Sequence, residues 1–128
     1  MQVETWQVYL SRNCRHAEPN PKDKYLVIVG FINGTPLGVF INSKIRPYIQ
    51  KQPHLMVCET QIAQQDHNFL KYDSYVDCTN AYELSSQDLD KHLGDVDENH
   101  RETILKSVKD CASIRNKHKK AILASHSK

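Results

Sequence analysis

With 128 residues, 39% hydrophobic and 25% charged, the chain fits one soluble domain with its own core, and the composition excludes disordered and fibrous classes. No apolar run approaches the roughly 20 residues that span a bilayer, and the start, MQVETWQVYL, lacks the basic flank and apolar stretch of a secretion signal, so a cytoplasmic protein without membrane contact is expected. The net charge of +2 conceals a segregation: residues 51–100 carry three Lys and Arg against ten Asp and Glu, and residues 101–128 carry eight against two. Acidic and basic faces of this kind permit a nucleic-acid partner without requiring one.

In chain order, TWQVYL (5–10) alternates enough for a first strand, and the polar RNCRHAEPNPKDK, broken by two prolines, follows as a long loop. YLVIVGFI (25–32) is β-branched and eight residues long, which favours a central strand over a helix. Asn33-Gly34 tolerates the positive φ of a tight hairpin, and VFINSKI returns as the partner strand. Pro47 and Pro53 bracket a short irregular or helical piece. LMVCETQI (55–62) reads as a further strand, with Glu59 and Gln61 on one face and Cys58, Thr60 and Ile62 on the other.

FLKYDSYVDCTNAYEL (69–84) supplies the next strand, centred on Tyr75 to Tyr82, although polar residues run through it. SSQDLDKHLG has the Ser cap, acidic first turn and Gly stop of a short helix. In DENHRETILKSVKDCASIRNKHKK, Ile104, Leu105, Val108, Cys111 and Ala112 recur at three- and four-residue steps, with acids in front and lysines behind. One amphipathic helix ending near 118 is expected, so that residues 1–118 form a single domain and 119–128 a frayed basic tail. About five hairpin-linked antiparallel strands followed by helices give an α+β domain, with the sheet curled into a small barrel.

The cysteines Cys14, Cys58, Cys78 and Cys111 form no CxxC pair and are read as reduced, packed thiols. His54 with Cys58, and Asp66 with His67, match no usual ligand spacing, so no metal or other cofactor is expected.

The succession WQVYL, PKDKYLVIVG, a hairpin, VFINSKI, FLKYDSYVDC and a last helix resembles the PemK/MazF-like plasmid-maintenance toxins over roughly residues 5 to 115. The resemblance implies an SH3-like, CcdB-type barrel, a homodimer, a cognate antitoxin partner and metal-free cleavage of single-stranded RNA. It places Lys24 of KDKYLVIV where an arginine is usual, and Asn42-Ser43 of FINSKI partly matches a strand-end hydroxyl pair. The strand end that carries a catalytic arginine in that family reads NAYEL here, with no arginine. The alternative is therefore a catalytically inactive barrel-type binding module that recognises a protein partner or nucleic acid.

Metal-free RNA cleavage needs a base for the 2′-hydroxyl, an acid for the leaving oxygen and cations or amides facing the phosphate. Lys24, Ser43 and Asp73 are the catalytic candidates, with Lys44, Arg46, His67, Ser74 and Tyr75 beside the substrate. Arg46 would substitute for the missing guanidinium, and His67 or Asp73 would serve for proton transfer. Each has a plainer reading. Lys24 beside Asp23 fits a solvated strand edge, Ser43 a backbone-satisfying strand end, His67 a surface imidazole, and Asp73-Ser74 an Asx turn that leaves Asp77 and Thr79 on the wet face. Tyr72, Tyr75 and Tyr82 fit a packed barrel seam as well as base stacking. A third class of reading, a metal-dependent hydrolase, would use Asp66, His67 and Asp73.

Overall fold

The structure, a computed structural model, describes residues 2–127. Strands β1 (Gln7–Cys14), β2 (Lys22–Ile32), β3 (Thr35–Asn42), β4 (Glu59–Ile62), β5 (Ser74–Glu83) and β6 (Lys91–Asp95) form one antiparallel sheet in the order β4-β5-β3-β2-β1-β6. The fold class is α+β, as expected: a curled half-barrel with short helices α1 (Pro47–Gln50) and α2 (Pro53–Met56), and two longer ones, α3 (Glu98–Asp110) and α4 (Asn116–Ser125). Among the described residues no helix is long and apolar enough to cross a membrane.

The most apolar segment is the central strand because both of its faces are covered. Val27 and Val29 point into the main core with Val8, Val39, Val76, Ile104 and Ile122, while Leu26 and Ile28 join Tyr9, Leu84 and Leu89 on the reverse face. Asn33 and Gly34 take positive φ values of 50° and 82°, which makes the β2–β3 hairpin as tight as the Asn-Gly pair predicts. The reverse face is only partly covered, and its uncovered end becomes the site described below.

Several expectations need correction. The sheet has six strands rather than about five, because only Ser86–Asp88 of SSQDLDKHLG makes a single helical turn, and Lys91–Asp95 pairs with β1. The Ser cap is real: Ser85 and Asp88 form a reciprocal capping box. Gly94, however, lies in strand opposite Val8 rather than stopping a helix. LMVCETQI is strand only from Glu59, since Pro53 starts a helical turn that runs through Met56.

The cysteines are not all reduced: Cys58 and Cys111 are joined, their Cα atoms 4.9 Å apart across a separation of 53 residues, while Cys14 and Cys78 are free and buried. Spacing along the chain could not reveal a pair that only the α3–β4 packing brings together. The long helix breaks at Cys111, whose backbone is extended, and Ile114 and Ser113 of the link dock on the sheet, Ser113 donating to the Thr79 carbonyl at 2.6 Å.

The basic tail is not frayed. Residues 116–125 are helical, Ile122 is fully buried, and the Ser125 hydroxyl accepts from Phe31 N at 3.1 Å. His126 Nε2 donates to the Val29 carbonyl at 2.8 Å and its ring lies 5.0 Å from Trp6. The helix seats closely because Gly30 has no side chain, and a Cβ there would meet Ile122 Cα at 2.9 Å. Ile122 enters the core, and Ala121 and Leu123 pack against it.

Candidate functional site

The uncovered end of the reverse face is a hollow of about 740 Å³, bounded by β2, β3, β5 and the loops after β1 and β3. Its floor follows from strand alternation. Val76 and Cys78 of β5 enter the core, so Asp77 and Thr79 emerge on the other side. Phe40 and Asn42 of β3, and Lys24 of β2, meet them there.

Asp77 is the hub. Its Oδ1 accepts from the Thr79 amide at 3.0 Å and the Thr79 hydroxyl at 2.5 Å. Its Oδ2 faces Asn42 Nδ2 at 3.4 Å and Arg46 Nη2 at 3.5 Å. Arg46 also donates to Thr79 Oγ1 at 3.3 Å. The Lys24 ammonium donates to Asn42 Oδ1 and sits 4.7 Å from the centre of the Phe40 ring. Burial and the neighbouring Lys22 lower the Lys24 pKa, while Asp77 opposes them.

Glu59 of β4 stands directly opposite Asp77 in the β4–β5 ladder. Burial first, and then the Asp77 carboxylate beside it, push Glu59 up to about 9, so it holds a proton at neutral pH. One wall is aromatic, with Phe40 and Tyr82 at 4.8 Å and Tyr82 and His16 at 5.0 Å between ring centres. Burial lowers the His16 pKa against the pull of Asp88, leaving a neutral imidazole at pH 7.

The structure brings Lys24, Ser43, Lys44, Arg46 and Ser74 to this hollow, and leaves Asp73, His67 and Tyr75 out of its lining. Lys24 is not a solvated edge residue: it is half-buried, and Asn42 holds its head group. Ser43 and Lys44 are exposed at the rim. Ser74 is buried and donates to the Tyr72 carbonyl at 3.0 Å. Asp73 Oδ1 accepts from Gln64 N at 2.8 Å, capping the turn after β4 outside the hollow. Tyr75 lies between Asn42 and Gln61 in the ladders.

His67 is neither a surface imidazole nor a substrate contact. It is 2% exposed, with Nδ1 donating to the Ala63 carbonyl at 2.6 Å and Nε2 accepting from Asp97 N at 3.0 Å. Both ring nitrogens are thus committed to the scaffold, which removes His67 from the Asp66, His67 and Asp73 grouping as well. Asp66 instead meets His100 at 3.0 Å, and with Asp97 these present three possible metal-ligand atoms within 4.8 Å of one another.

Sequence reasoning missed Glu59 and Asp77. Alternation places Asp77 and Thr79 together on one face, but only the pairing of β5 with β3 and β4 shows that this face is roofed by Arg46 and Glu59 and buried to within a few per cent.

No protein-family model matches the chain, and no curated protein does. Among solved structures it is similar to an endoribonuclease in complex with its cognate antitoxin from a mycobacterial species, with a TM-score of 0.59, 19% identity, and coverage of 83% of this chain and 90% of that one. At that identity the likeness shows the fold. The two chains share one architecture almost end to end, and the chemistry is argued from the hollow itself.

Proposed function

We propose that the chain is the toxin of a toxin-antitoxin pair, an endoribonuclease that cuts single-stranded RNA without metal, of the PemK/MazF-like kind. The observation that carries the reading is the convergence of Lys24, Arg46 and the Ser43 hydroxyl on one hollow with an aromatic wall. A fold similar to that of an antitoxin-bound endoribonuclease supports it. The reading includes a cytoplasmic homodimer and a cognate antitoxin protein as partner.

The chemistry requires no external nucleophile. The RNA 2′-oxygen attacks the adjacent phosphorus as the bond to the 5′-oxygen breaks, leaving a 2′,3′-cyclic phosphate and a 5′-hydroxyl. Arg46 and Lys24 face the charge that grows on the phosphoryl oxygens, and Ser43 hydrogen-bonds them from the rim. Lys24, made more acidic by burial, gives its proton to the 5′-oxygen. His16 is the imidazole on the wall that could take the 2′-proton, but its Nε2 is buried 3.7 Å from Asp88 Oδ2, so the ring has to turn outwards to reach the 2′-hydroxyl. Tyr72, 56% exposed in the lining of the hollow, offers a face on which a base stacks. Asp73 keeps its capping role.

The test incubates purified protein with mixed-sequence single-stranded RNA, with and without EDTA, and analyses the ends. Cleavage that survives EDTA and leaves cyclic phosphates supports the reading. RNA intact after hours in both arms sinks it. Anisotropy that registers RNA binding without cleavage would leave the binding-module alternative, which the absence of an arginine on β5 favours.

A further inference from the structure

Glu59 lies at the edge of the sheet but cannot swing away from it. On one side the Cys58 carbonyl accepts from Cys78 N at 2.9 Å, and the Cys58 side chain is tied to Cys111. On the other, the Thr60 hydroxyl meets Ser107 Oγ at 2.5 Å and the Thr103 carbonyl at 3.3 Å. Glu59 is thereby held over Asp77, with Oε2 buried and lacking a hydrogen-bond partner among the described residues. Two facing carboxylates in such a place repel unless one carries a proton.

The charged groups that meet Glu59 are Asp77 from β5 and Arg46 from the loop before α1. Beneath the strand, α3 meets Thr60 through Thr103 and Ser107, which carry no charge, and the Cys78 thiol is pushed up by burial and by Asp77 and Glu59. Asp77 is saturated on its far side by Thr79, Asn42 and Arg46. A proton on Glu59 supplies the remaining donor, so the pair carries a single negative charge that the guanidinium can answer.

We propose that Glu59 is a positioning residue of the hollow: as a neutral acid it donates to Asp77, and so holds the Asp77, Asn42 and Arg46 network in the arrangement that meets a phosphate. Loss of that proton puts two carboxylates behind the anion-binding cations and drives them apart. The activity arm of this proposal rests on the nuclease reading; the spectroscopic arm does not.

The experiment compares the full chain with Glu59→Gln, which keeps a neutral donor, and Glu59→Ala, which removes it. In protein with carbon-13 in its glutamate carboxyls, one carboxyl signal titrates well above pH 7 and disappears in Glu59→Gln, and the Asn42 side-chain amide shifts over the same range in the parent alone. If every glutamate titrates below about pH 6, the ordinary carboxylate range, the proposal is overturned whether or not RNA is cut. If RNA is cut, Glu59→Gln keeps the pH 7 rate within about threefold and removes the Glu59 share of the alkaline limb, leaving that of Lys24, whereas Glu59→Ala loses about tenfold or more. Equal rates and identical pH profiles for all three proteins would overturn it while leaving the nuclease standing. If RNA is not cut but the high-pH glutamate is present and coupled to Asn42, the proposal stands and the nuclease reading falls.

Discussion

The Arg46 guanidinium rests 3.3 Å from the Thr79 hydroxyl, so a loop residue supplies to β5 the cation that β5 itself lacks. Its side chain stays 55% exposed and lines the hollow. Because a half-exposed ion pair contributes at most about 1 kcal/mol, Arg46→Ala should leave the unfolding midpoint nearly unchanged. The same change should lower RNA cleavage by about 100-fold, the usual effect of removing one donor aimed at developing charge. Arg46→Lys should recover only part of the rate, since a point charge lacks the planar fork. Thermal unfolding alongside single-turnover cleavage separates the two effects.

Asp77→Asn is expected to behave differently, because Asp77 is 6% exposed and is the shared acceptor for Thr79, Asn42 and Arg46. An amide nitrogen in place of one oxygen turns at least one of these contacts into donor facing donor. A stability loss of about 1–3 kcal/mol follows from the unsatisfied group, together with reduced RNA affinity as Arg46 loses its anchor. Denaturant melts and anisotropy on the same preparations measure both. Stability equal to the parent would show that Asp77 is not the hub.

How much of this was legible in the sequence depends on range. The β2–β3 hairpin was readable because its signals are local: a β-branched run, then Asn33-Gly34, then a second run. Lys24, Ser43 and Arg46 were singled out because a family resemblance and simple chemistry point to cations and hydroxyls near strand ends, and all three line the hollow. The burial and pairing of Glu59 and Asp77, and the Cys58–Cys111 link, were invisible because each depends on a cross-strand or helix–strand contact between distant segments. His67 misled for a different reason: an imidazole looks the same in sequence whether it faces a substrate or holds two backbone groups.

The docking of α4 gives a stability prediction. Ile122 is fully buried against β2, so Ile122→Ala should cost about 2–4 kcal/mol through lost burial and the cavity left behind. Gly30→Ala should also destabilise, since the added methyl would meet Ile122 Cα and Ser125 Oγ at 2.9 Å each and lift the helix. If both variants melt with the parent, the C-terminal helix contributes nothing and the frayed-tail expectation regains its place.

The Cys58–Cys111 link closes a stretch of 53 residues that contains β4, β5 and β6. On chain-entropy grounds, a crosslink over that separation contributes about 4 kcal/mol by restricting the unfolded chain. Cys111→Ser, or reduction by a small thiol, should therefore lower the denaturant midpoint. Because Cys58 precedes Glu59, the same change should also loosen the site. The check is parallel melts with and without reductant, for the parent and for Cys111→Ser: only the parent should respond to reductant.

Glu59 makes a prediction about pH whose sign is fixed. Its pKa is raised by folding, from the ordinary 4.5 to about 9. Between those values the unfolded chain has released the proton that the native state still holds. The native state binds more protons there, so this group's contribution to stability is complete below pH 4.5 and declines as pH rises towards 9, by up to about 1.4 kcal/mol per pH unit. Above 9 both states are ionised and the slope vanishes. Glu59→Gln cannot ionise, so its stability relative to the parent should grow steadily from acid to alkaline pH, as read from urea midpoints at half-unit intervals. Asp88 works the other way. Its pKa is lowered because the Arg15 fork, the Ser85 amide and nearby His16 together outweigh its burial. Its stabilisation is present above the ordinary 3.8 and fades as pH falls below that through its native value, on the acid side of the Glu59 window. A difference curve between parent and Glu59→Gln that stays flat from pH 5 to 9 would mean that Glu59 is already ionised beside Asp77, and the network would then have to hold two negative charges against Arg46 and Lys24.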